Sequence, residues 1–438
     1  MPAGLLGWMQ MDSPGTMWLR PVQMIAGILA VLATCSCAAL LADANGIEPQ
    51  TMLELQSVDH SQLQNSGRSP FKAPLRFNLR NVSPQGWEFN VGLKQYRCEP
   101  AVNAEGRVFV CLGGEWDYGN PEPMNLLAIS GNGGLDWYMP LGKHRRVRVN
   151  IDNYGTPYVM HGSKISRLDY SGHVIDSIRL DIFSSNFVLG NYGQMLAASD
   201  RYDVRVIDNT GVTRARLDNP GNYDMIEFQD SPDLAGLWLK DPDLHPGLLV
   251  SSNGHHLISF REDLYYLNGK GEEIWRQPVP TGKVCGIACQ DSMIALTTLD
   301  GTVQSLDLNG RLRWLTTLPP KISSRPCIDS AGNVIAANVD GYIISISPVG
   351  SCNWITSLDD DSTVPRDNQL SFHYKVLLSA DDQVLVTNTD GKLYCLDNAG
   401  QLRFRTKFTP LQECYAAFGP EGRIHAFCGS QYVVIGEV

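Results

Sequence analysis

The chain has 438 residues, of which 43% are hydrophobic, and it carries a net charge of −11. This length allows two or three average domains or one large all-β domain, and the apolar content supports a sizeable core. The acidic balance argues against a nucleic-acid-binding protein, because such a protein needs clustered basic groups to displace the counterions of the phosphates.

An apolar run of about 20 residues, long enough to span a bilayer, extends from Met24 to Ala42 after Arg20. A basic residue before an apolar run predicts an export segment, and Ala42-Asp43-Ala44 fits the small-residue rule for cleavage. Two alternatives stay open: lipidation at Cys35 in "LATC", and retention of the run as a membrane anchor. All three place the folded part outside the cytoplasm, as a periplasmic, secreted or membrane-tied protein.

The segment that follows this export region, residues 45–85, is polar and has little hydrophobic periodicity. Such a composition predicts an extended linker. The folded domain is predicted over residues 86–438, and it begins with the apolar and aromatic stretch "GWEFNVG" at 86–92.

Two pairs of cysteines lie on predicted hairpins. "CEPAVNAEGRVFVC" turns at Ala104-Glu105, so counting outward places Cys98 opposite Cys111 in a non-hydrogen-bonded pair, where side chains are closest. Cys414 and Cys428 flank a similar hairpin around "GPEG", one residue out of register. The sequence therefore predicts the disulfides Cys98–Cys111 and Cys414–Cys428.

The run "KHRRVRV" at 143–149 is the densest basic stretch of the chain. Charge runs of this length usually lie in solvated loops, and we expect the same here. An anion-binding role for this run is the alternative.

Seven copies of the pattern of Leu or Ile with a glycine four residues later form a series, and their glycines are 39, 39, 60, 39, 40 and 50 residues apart. A period near 40 with short alternating strands predicts a β-propeller with one four-stranded blade per repeat. The seven glycines are Gly133, Gly172, Gly211, Gly271, Gly310, Gly350 and Gly400.

Three features recur among the repeats for mechanical reasons. An Asp-Gly pair predicts a tight hairpin whose central residues need positive φ, with the glycines Gly301, Gly341 and Gly391. The later glycine, as in Gly310, Gly350 and Gly400, predicts a left-handed residue in the turn between the third and fourth strands. An aromatic residue four positions on predicts a ring that fills the wedge between blades, at Trp137, Trp275, Trp314, Trp354 and Phe404. Blades two and three have Asp176 and Ala215 there.

The ends of the repeat region predict how the ring closes. Three strands follow the seventh repeat, and the missing fourth strand is available at 86–92, where Trp87 takes the aromatic position. Trp87 lies 13 residues before Pro100, and Trp314 lies 12 before Pro326. The sequence therefore predicts an all-β, eight-bladed propeller of antiparallel blades, closed by a blade shared between N- and C-terminal strands, which removes free strand edges.

The segment "LDLNGRLRW", with an Asp-Gly turn upstream, resembles the tryptophan-docking repeat of the quinoprotein-like (PQQ-like) eight-bladed propellers, and the resemblance covers about residues 86–438. That family includes quinoprotein alcohol dehydrogenases and exported proteins without a cofactor, such as the lipoprotein scaffold of the outer-membrane barrel-assembly machine. The dehydrogenases carry adjacent bridged cysteines, calcium-binding acidic residues and a catalytic aspartate on long insertions. This chain has no adjacent cysteine pair, so we expect no cofactor and no enzymatic activity.

Other constellations with chemical potential are weak. His255 and His256 are neighbours on a predicted strand, so their side chains point to opposite faces and are not expected to share a metal ion. The acidic run at 359–361 lacks the spaced ligands of a calcium loop and predicts a solvated loop. The sequence has no Gly-x-Ser-x-Gly, His-Glu-x-x-His or phosphate-cradling motif.

The repeat is lengthened at three places, near 113–124, 218–246 and 359–370. The first insertion lies between the second and third strands of a blade, and the other two lie between one blade and the next. Both kinds of connection emerge on the same face of a propeller, and loops on a rigid scaffold often carry binding residues. The candidate interaction residues on these loops are Trp116, Tyr118, Trp238, Asp241, Asp243 and Asp360.

We therefore expect a non-enzymatic module of the cell envelope that binds or scaffolds a protein partner through an acidic, insertion-rich face. Aromatic residues with charge nearby are typical of protein interfaces, although Trp116 and Trp238 could instead pin their loops onto the ring. The alternative function is a PQQ-like oxidoreductase, or a sensor that binds a small ligand in the central channel. Bound quinone or calcium in the purified protein would favour that alternative.

Overall fold

The computed structural model describes residues 68–76, 78–81, 95–96, 98–113, 123–131, 133–143, 147–152, 154–182, 184–190, 193–199, 203–217, 248–251, 254–260, 263–279, 284–298, 300–318, 324–358, 374–408, 414–428 and 431–436. Within these ranges the chain forms eight separate antiparallel sheets; seven are built from consecutive strands, and the eighth combines the first strand of the chain with the last three. The sheets are the blades of a ring, which confirms the prediction of an all-β, eight-bladed propeller.

Each blade runs from an inner strand beside the propeller axis to an outer strand at the rim. Blades 1 to 4 contain β2 Gln95–Tyr96, β3 Ala101–Val102, β4 Val108–Gly113, β5 Met124–Ile129 and β6 Leu135–Gly142; β7 Val147–Ile151, β8 Pro157–His161, β9 Lys164–Leu168 and β10 Val174–Arg179; β11 Ser184–Leu189, β12 Met195–Ser199, β13 Val204–Ile207 and β14 Thr213–Leu217; β15 Leu248–Val250, β16 His256–Phe260, β17 Asp263–Leu267 and β18 Glu273–Pro278. Blades 5 to 8 contain β19 Val284–Gln290, β20 Met293–Thr298, β21 Thr302–Asp307 and β22 Leu312–Thr317; β23 Cys327–Ile328, β24 Val334–Ala337, β25 Tyr342–Ile346 and β26 Cys352–Ser357; β27 Tyr374–Leu378, β28 Val384–Asn388, β29 Lys392–Leu396 and β30 Leu402–Lys407; β31 Cys414–Gly419, β32 Arg423–Cys428 and β33 Gln431–Gly436, completed by β1 Asn78–Asn81. One 3-10 turn, Pro420–Gly422, connects β31 and β32.

Burial along the strands reflects their place in the blade. Middle strands such as β4 and β20 are buried at every residue, whereas the outer strands β22, β26 and β30 alternate between exposed and half-buried residues. Neighbouring blades cover both faces of the middle strands, so these strands are continuously apolar. The core consequently lies in the seams between blades, where apolar side chains of adjacent sheets pack together.

The recurring geometry of four of these seams comes from a tryptophan of the outer strand. The indole of Trp314 packs on Gly350 of the next blade, and its Nε1–H donates a hydrogen bond to the Pro348 carbonyl at 2.8 Å. Thr316 adds a bond from its hydroxyl to the Gly350 carbonyl at 2.9 Å. The same indole-to-carbonyl bond joins Trp137 to Tyr170, Trp275 to Leu308 and Trp354 to Asn398.

Blades 2 and 3 replace this tryptophan contact with other side chains. Asp176 of blade 2 forms an ion pair with Arg167 of its own sheet, and Ile178 packs against Gly211 instead. In blade 3, the methyl group of Ala215 lies directly against Gly271. The two seams flanking blade 3 therefore lack an indole hydrogen bond at these positions.

The Asp-Gly turns differ in one detail from the sequence prediction. Gly341 has φ +82°, but the Asp340 before it has ordinary negative φ, so only the second residue of the pair is left-handed. The Gly341 N–H donates to the Asn338 carbonyl, and Asn338 Oδ1 accepts the N–H groups of Asp340 and Tyr342. This is a type I turn followed by a left-handed glycine, a hairpin form that needs positive φ at one residue only.

The closing blade is shared between the two ends of the chain, as predicted, but by a different strand. β1 pairs antiparallel with β33, with Asn78 opposite Gly436 and Asn81 opposite Val433. The predicted closing strand at 86–92 is therefore wrong, because β1 already occupies the outer edge of this blade. Trp87 lies outside the described residues.

The reason for this difference is that the ring already includes residues before 86, and residue 68 is the first of those described. The Ser69 N–H donates to the Leu378 carbonyl at the end of β27, and the Ala380 N–H donates to the Phe71 carbonyl at 2.7 Å. Arg68 forms an ion pair with Asp382 at 3.0 Å. We call residues 68–76 the lead segment.

The lead segment also contributes to the core. Phe71 and Ala73 are 6% and 3% exposed and belong to the same apolar cluster as the inner residues of blades 1, 7 and 8. Residues 68–76 and 78–81 of the predicted linker therefore belong to the ring. The lead segment brings the chain to the rim of blade 8, where β1 starts.

The cysteine pairs also depart from their predicted geometry. Four residues, 97–100, separate β2 from β3, while only Val110 and Cys111 lie opposite them in β4. Cys98 lies in this bulge as a free thiol whose sulfur accepts the Cys111 N–H at 3.0 Å, so the predicted Cys98–Cys111 bridge is wrong. Burial raises the pKa of the Cys111 thiol, and the neighbouring Cys98 raises it further.

Cys414 and Cys428 are directly opposite each other, not one residue out of register. The 3-10 turn restores the register, because Glu421 takes a left-handed conformation with φ 59°. The two sulfurs are joined as a disulfide at the end of blade 8.

Two buried histidines make the fold sensitive to acid. Burial lowers the pKa of His256 to about 4 and that of His425 to about 3, and the Nδ1 of His425 lies 2.7 Å from the Tyr432 hydroxyl. Because both folded values lie below the unfolded value of about 6.5, stability is complete above that pH and falls as the pH drops toward 4. We expect each histidine to cost about 2 kcal/mol of unfolding free energy between pH 7 and 5.

Urea unfolding at both pH values measures this loss. His256→Leu should flatten the pH dependence by about half of the histidine contribution, whatever its effect at pH 7. An unchanged pH dependence in this variant would contradict the assignment of a neutral, buried His256.

Candidate functional site

The two faces of the ring differ in the length of their connections. One face carries the turns 298–302, 338–342 and 388–392 together with the links between blades, and we call it the insertion face. On the opposite face, the short-turn face, every connection contains five residues or fewer. Antiparallel strands alternate in direction, so the second-to-third-strand turns and the interblade links emerge together.

All three sequence insertions leave the ring on the insertion face. They connect β4 to β5, β14 to β15 and β26 to β27, as the sequence analysis predicted. The insertions themselves, at 114–122, 218–247 and 359–373, lie outside the described residues. The candidate interaction residues Trp116, Tyr118, Trp238, Asp241, Asp243 and Asp360 belong to them, so their proposed role stays a prediction, as does lipidation at Cys35.

The third insertion is anchored at both ends on one turn. The Leu358 N–H donates to the Gly341 carbonyl at 2.9 Å, and the Leu358 side chain is 2% exposed. Tyr374, where the chain returns, is buried, and its hydroxyl would lie 2.7 Å from a Cβ placed on Gly341. The bases of this insertion are therefore fixed over the Asn338–Tyr342 turn of blade 6.

The same backbone hydrogen bond, which we call a strap, recurs in other blades. Leu180, Leu318 and Phe408 each follow an outer strand and donate their backbone N–H to the turn of the same blade, to the carbonyls of Ser163, Gly301 and Gly391. Their side chains are buried under the face. This arrangement makes a rigid floor from which loops can project, which is the usual setting for a binding surface.

Charged groups lie on this floor beside the second insertion. Asp181 accepts a hydrogen bond from Arg205 Nε at 2.8 Å and forms an ion pair with Arg216 Nη1 at 3.1 Å. The hydrogen bond from Arg205 holds the pKa of Asp181 below its ordinary value. Arg216 is the second-last residue of β14. Arg205 and Arg216 therefore lie close to the start of the second insertion, whose sequence is acidic.

Asp181, Arg205 and Arg216 were not predicted from the sequence. The alternation in "TRARL" at 213–217 signals an exposed charged edge, but the contact with Asp181 depends on how two blades meet. That alignment across a seam is not encoded in any short motif.

Three further carboxylates occupy the same place in the turns of blades 5, 6 and 7: Asp300, Asp340 and Asp390. Burial raises the pKa of Asp390, and the positive charge of Lys407 opposes that shift. With the aspartates of the insertions, they favour an acidic character for this sector of the insertion face.

The described residues offer little for catalysis or metal binding. His256 is fully buried, whereas Nδ1 of His255 lies 3.0 Å from the Tyr266 hydroxyl, so the two imidazoles serve separate contacts. Within the described ranges, no group of three or more His, Cys, Asp or Glu residues is arranged to hold a metal ion. Among the same residues, none forms a helix with the length and apolar character needed to cross a membrane.

Comparisons with known proteins agree with this architecture. A family model described as outer membrane protein assembly factor BamB matches residues 200–368. No curated protein matches the chain in sequence.

Among solved structures, BamB from Moraxella catarrhalis is similar with a TM-score of 0.55 and 12% identity, over 83% of this chain and 100% of that one. The C-terminal WD40 domain of Sif2 is similar with a TM-score of 0.57 and 10% identity, over 83% of this chain and 99% of that one. At such identities these likenesses concern the fold. Together with the docking tryptophans and the eight blades, the family match over residues 200–368 supports a propeller of the quinoprotein-like (PQQ-like) kind.

Proposed function

We propose that the chain is an exported, non-enzymatic β-propeller of the cell envelope that holds a protein partner on its insertion face. The observation that carries this proposal is the placement of all three long insertions on one face, while no connection on the opposite face exceeds five residues. A ring that needed loops only to connect its strands would have no reason to extend them on one face.

The structure of the floor supports a binding role. The straps at Leu318, Leu358 and Phe408 fix the base of the face, so ordering a partner there costs little backbone entropy. Arg216 and the carboxylates of Asp340 and Asp390 provide charge of both signs around the insertions. Mixed charge with aromatic anchors suits recognition of a protein surface.

The family relationship supports the absence of catalysis and the location. The matching family model is named for an assembly factor of the outer membrane, and the similar Moraxella protein carries the same name. A scaffold in the envelope also fits the export segment predicted for residues 1–44. We therefore assign this chain to the periplasmic side of a membrane, tied to it or released.

Trp238→Ala separates the binding role from a purely structural one. We expect the variant to weaken partner binding by about 10-fold or more, because aromatic residues at interface centres often contribute this much. Its free energy of unfolding should change by less than about 0.5 kcal/mol, as for an ordinary surface substitution. A large loss of stability with binding intact would contradict the assignment.

Photo-crosslinking in intact cells tests the face itself. A photoreactive residue at position 116, 238 or 360 should give one discrete cross-linked product. The same residue at position 331, an exposed alanine on the short-turn face, is the control and should give none. Products from position 331 alone, or no product from any position, would refute the proposal.

A further inference from the structure

Blade 2 exposes two tyrosines on the short-turn face. Tyr154, in the turn between β7 and β8, is 82% exposed, and Tyr170, in the turn between β9 and β10, is 51% exposed. The Tyr170 carbonyl accepts the indole bond of the docking repeat, and the corresponding residues of blades 5, 6 and 7 are Leu308, Pro348 and Asn398. Because a backbone carbonyl suffices for that bond, the repeat does not require a tyrosine side chain here.

Three turns of two neighbouring blades converge beneath these rings. A Cβ on Gly155, next to Tyr154, would lie 3.3 Å from the Asn103 Cβ of blade 1 and 3.5 Å from the Tyr170 hydroxyl. That hydroxyl donates to the Tyr154 carbonyl at 2.8 Å, and Asp152 Oδ1 accepts the Tyr154 N–H at 2.9 Å. The backbone beneath the rings is therefore already fixed, so a partner that binds there does not have to order it.

Two carboxylates flank the tyrosines. Glu105 is exposed, and it takes in blade 1 the place that Tyr154 has in blade 2, the residue before the left-handed glycine of the inner turn. Asp152 begins the turn of Tyr154. Burial raises the pKa of Tyr170, and the negative charges of Glu105 and Asp152 raise it further, so both carboxylates act on this ring. Within the described part of the chain, neither carboxylate has an ion-pair partner.

The cation beside these groups is already paired. Arg107 Nε lies 2.8 Å from Asp136 Oδ2, and its Nη1 donates to the Tyr170 carbonyl at 2.9 Å. The guanidinium carbon lies 5.8 Å from the centre of the Tyr170 ring, within the range of a cation–π contact. The protein thus contains one guanidinium–tyrosine contact of its own, and this arginine leaves the two flanking carboxylates free. We call Glu105, Asp152, Tyr154 and Tyr170 the tyrosine patch.

We propose that the tyrosine patch binds a basic segment of a protein partner, whose lysine or arginine side chains lie on the two rings. Cations bind the faces of aromatic rings, and the carboxylates of Glu105 and Asp152 add charge-assisted hydrogen bonds. An acidic segment would be repelled, so charge complementarity selects a basic one. The net charge of −11 also attracts such a segment from a distance. This patch is a second surface, because it lies on the face opposite the insertions.

Fluorescence anisotropy on the full chain tests the proposal, with a fluorescein-labelled peptide of alternating arginine and glycine as the probe. The ionic strength is kept at about 150 mM, where attraction between distant exposed charges is screened. We expect saturable binding. Tyr154→Ala should weaken it by about five-fold, because an exposed cation–π contact is lost. Glu105→Gln should weaken it by about three-fold, as for the loss of an exposed ion pair.

Glu272→Gln is the matched control, because Glu272 is an exposed carboxylate in the turn between β17 and β18 of the same face. It removes the same charge and should leave the affinity unchanged, and the melting temperature of each variant establishes that it is folded. The assay contains no partner of the insertion face, so its result is independent of the function proposed above.

Three results would overturn the proposal: no saturable binding of the peptide, equal losses in Glu105→Gln and Glu272→Gln, or an unchanged affinity in Tyr154→Ala. Equal losses would show that the peptide responds only to the net charge of the protein. Binding of chitotetraose, a neutral oligosaccharide, in place of the peptide would overturn it in favour of a glycan site.

Discussion

Replacing Trp314 with alanine is expected to lower the free energy of unfolding by about 3 kcal/mol. Its indole packs on Gly350 of the next blade and donates a hydrogen bond to Pro348, so truncation removes ring contacts and leaves a carbonyl without this partner. The ring is half-buried, which keeps the expected loss at the lower end of the range for tryptophan. Denaturant unfolding of the variant and the parent protein measures the difference.

Two companion variants and one control separate the parts of this contact. Trp314→Phe retains most of the ring and loses the N–H, so it should cost about 1 kcal/mol. Gly350→Ala imposes a left-handed conformation on alanine and brings its Cβ to 3.0 Å from Trp314, whereas Gly332→Ala imposes the same φ with the nearest atom at 3.4 Å. We expect Gly350→Ala to be the more destabilising, and equal losses would show that the ring contact contributes nothing.

Phe71→Ala is expected to destabilise the protein by about 3 to 4 kcal/mol, although residue 71 lies in a stretch that reads as a polar linker. Phe71 is 6% exposed among the inner residues of blades 1, 7 and 8, so its removal leaves a cavity beneath the closing blade. Its backbone carbonyl also accepts the Ala380 N–H, which fixes the lead segment to blade 7.

Leu75→Ala provides the matched control for this segment. Leu75 is 80% exposed, so its truncation should change stability by less than about 0.5 kcal/mol. Thermal and urea unfolding of both variants measure these changes in stability. If Phe71→Ala were as mild as Leu75→Ala, the lead segment would be a tether lying on the surface, and the ring would close through β1 alone.

The repeat could be predicted from the sequence because its residues act locally. Gly310 and Gly350 are needed for a left-handed turn, and Trp314 and Trp354 recur at a fixed distance from such turns. Local requirements of this kind can be recognised in the sequence of one blade, and they recur in other blades. The number of blades and the shared closing blade followed from counting these units.

The mistakes lie where distant parts of the chain meet. Trp87 matched the spacing of the repeat, but the closing position went to β1, because the lead segment binds the turn at 378–382 and reaches blade 8 first. Cys98 was misplaced because a bulge of two extra residues cannot be read from a hairpin count.

The partners in the closing blade have a consequence for how the protein acquires its fold. Asn78 and Gly436 lie more than 350 residues apart in the chain, yet they face each other in one antiparallel pair. A contact of such long range slows folding, because the loop must close before the pairing gains any energy. A chain made from its N-terminus can form seven blades in succession, but β1 waits unpaired until β33 arrives. The nascent protein is therefore most exposed to aggregation in its last step, when two strand edges are open.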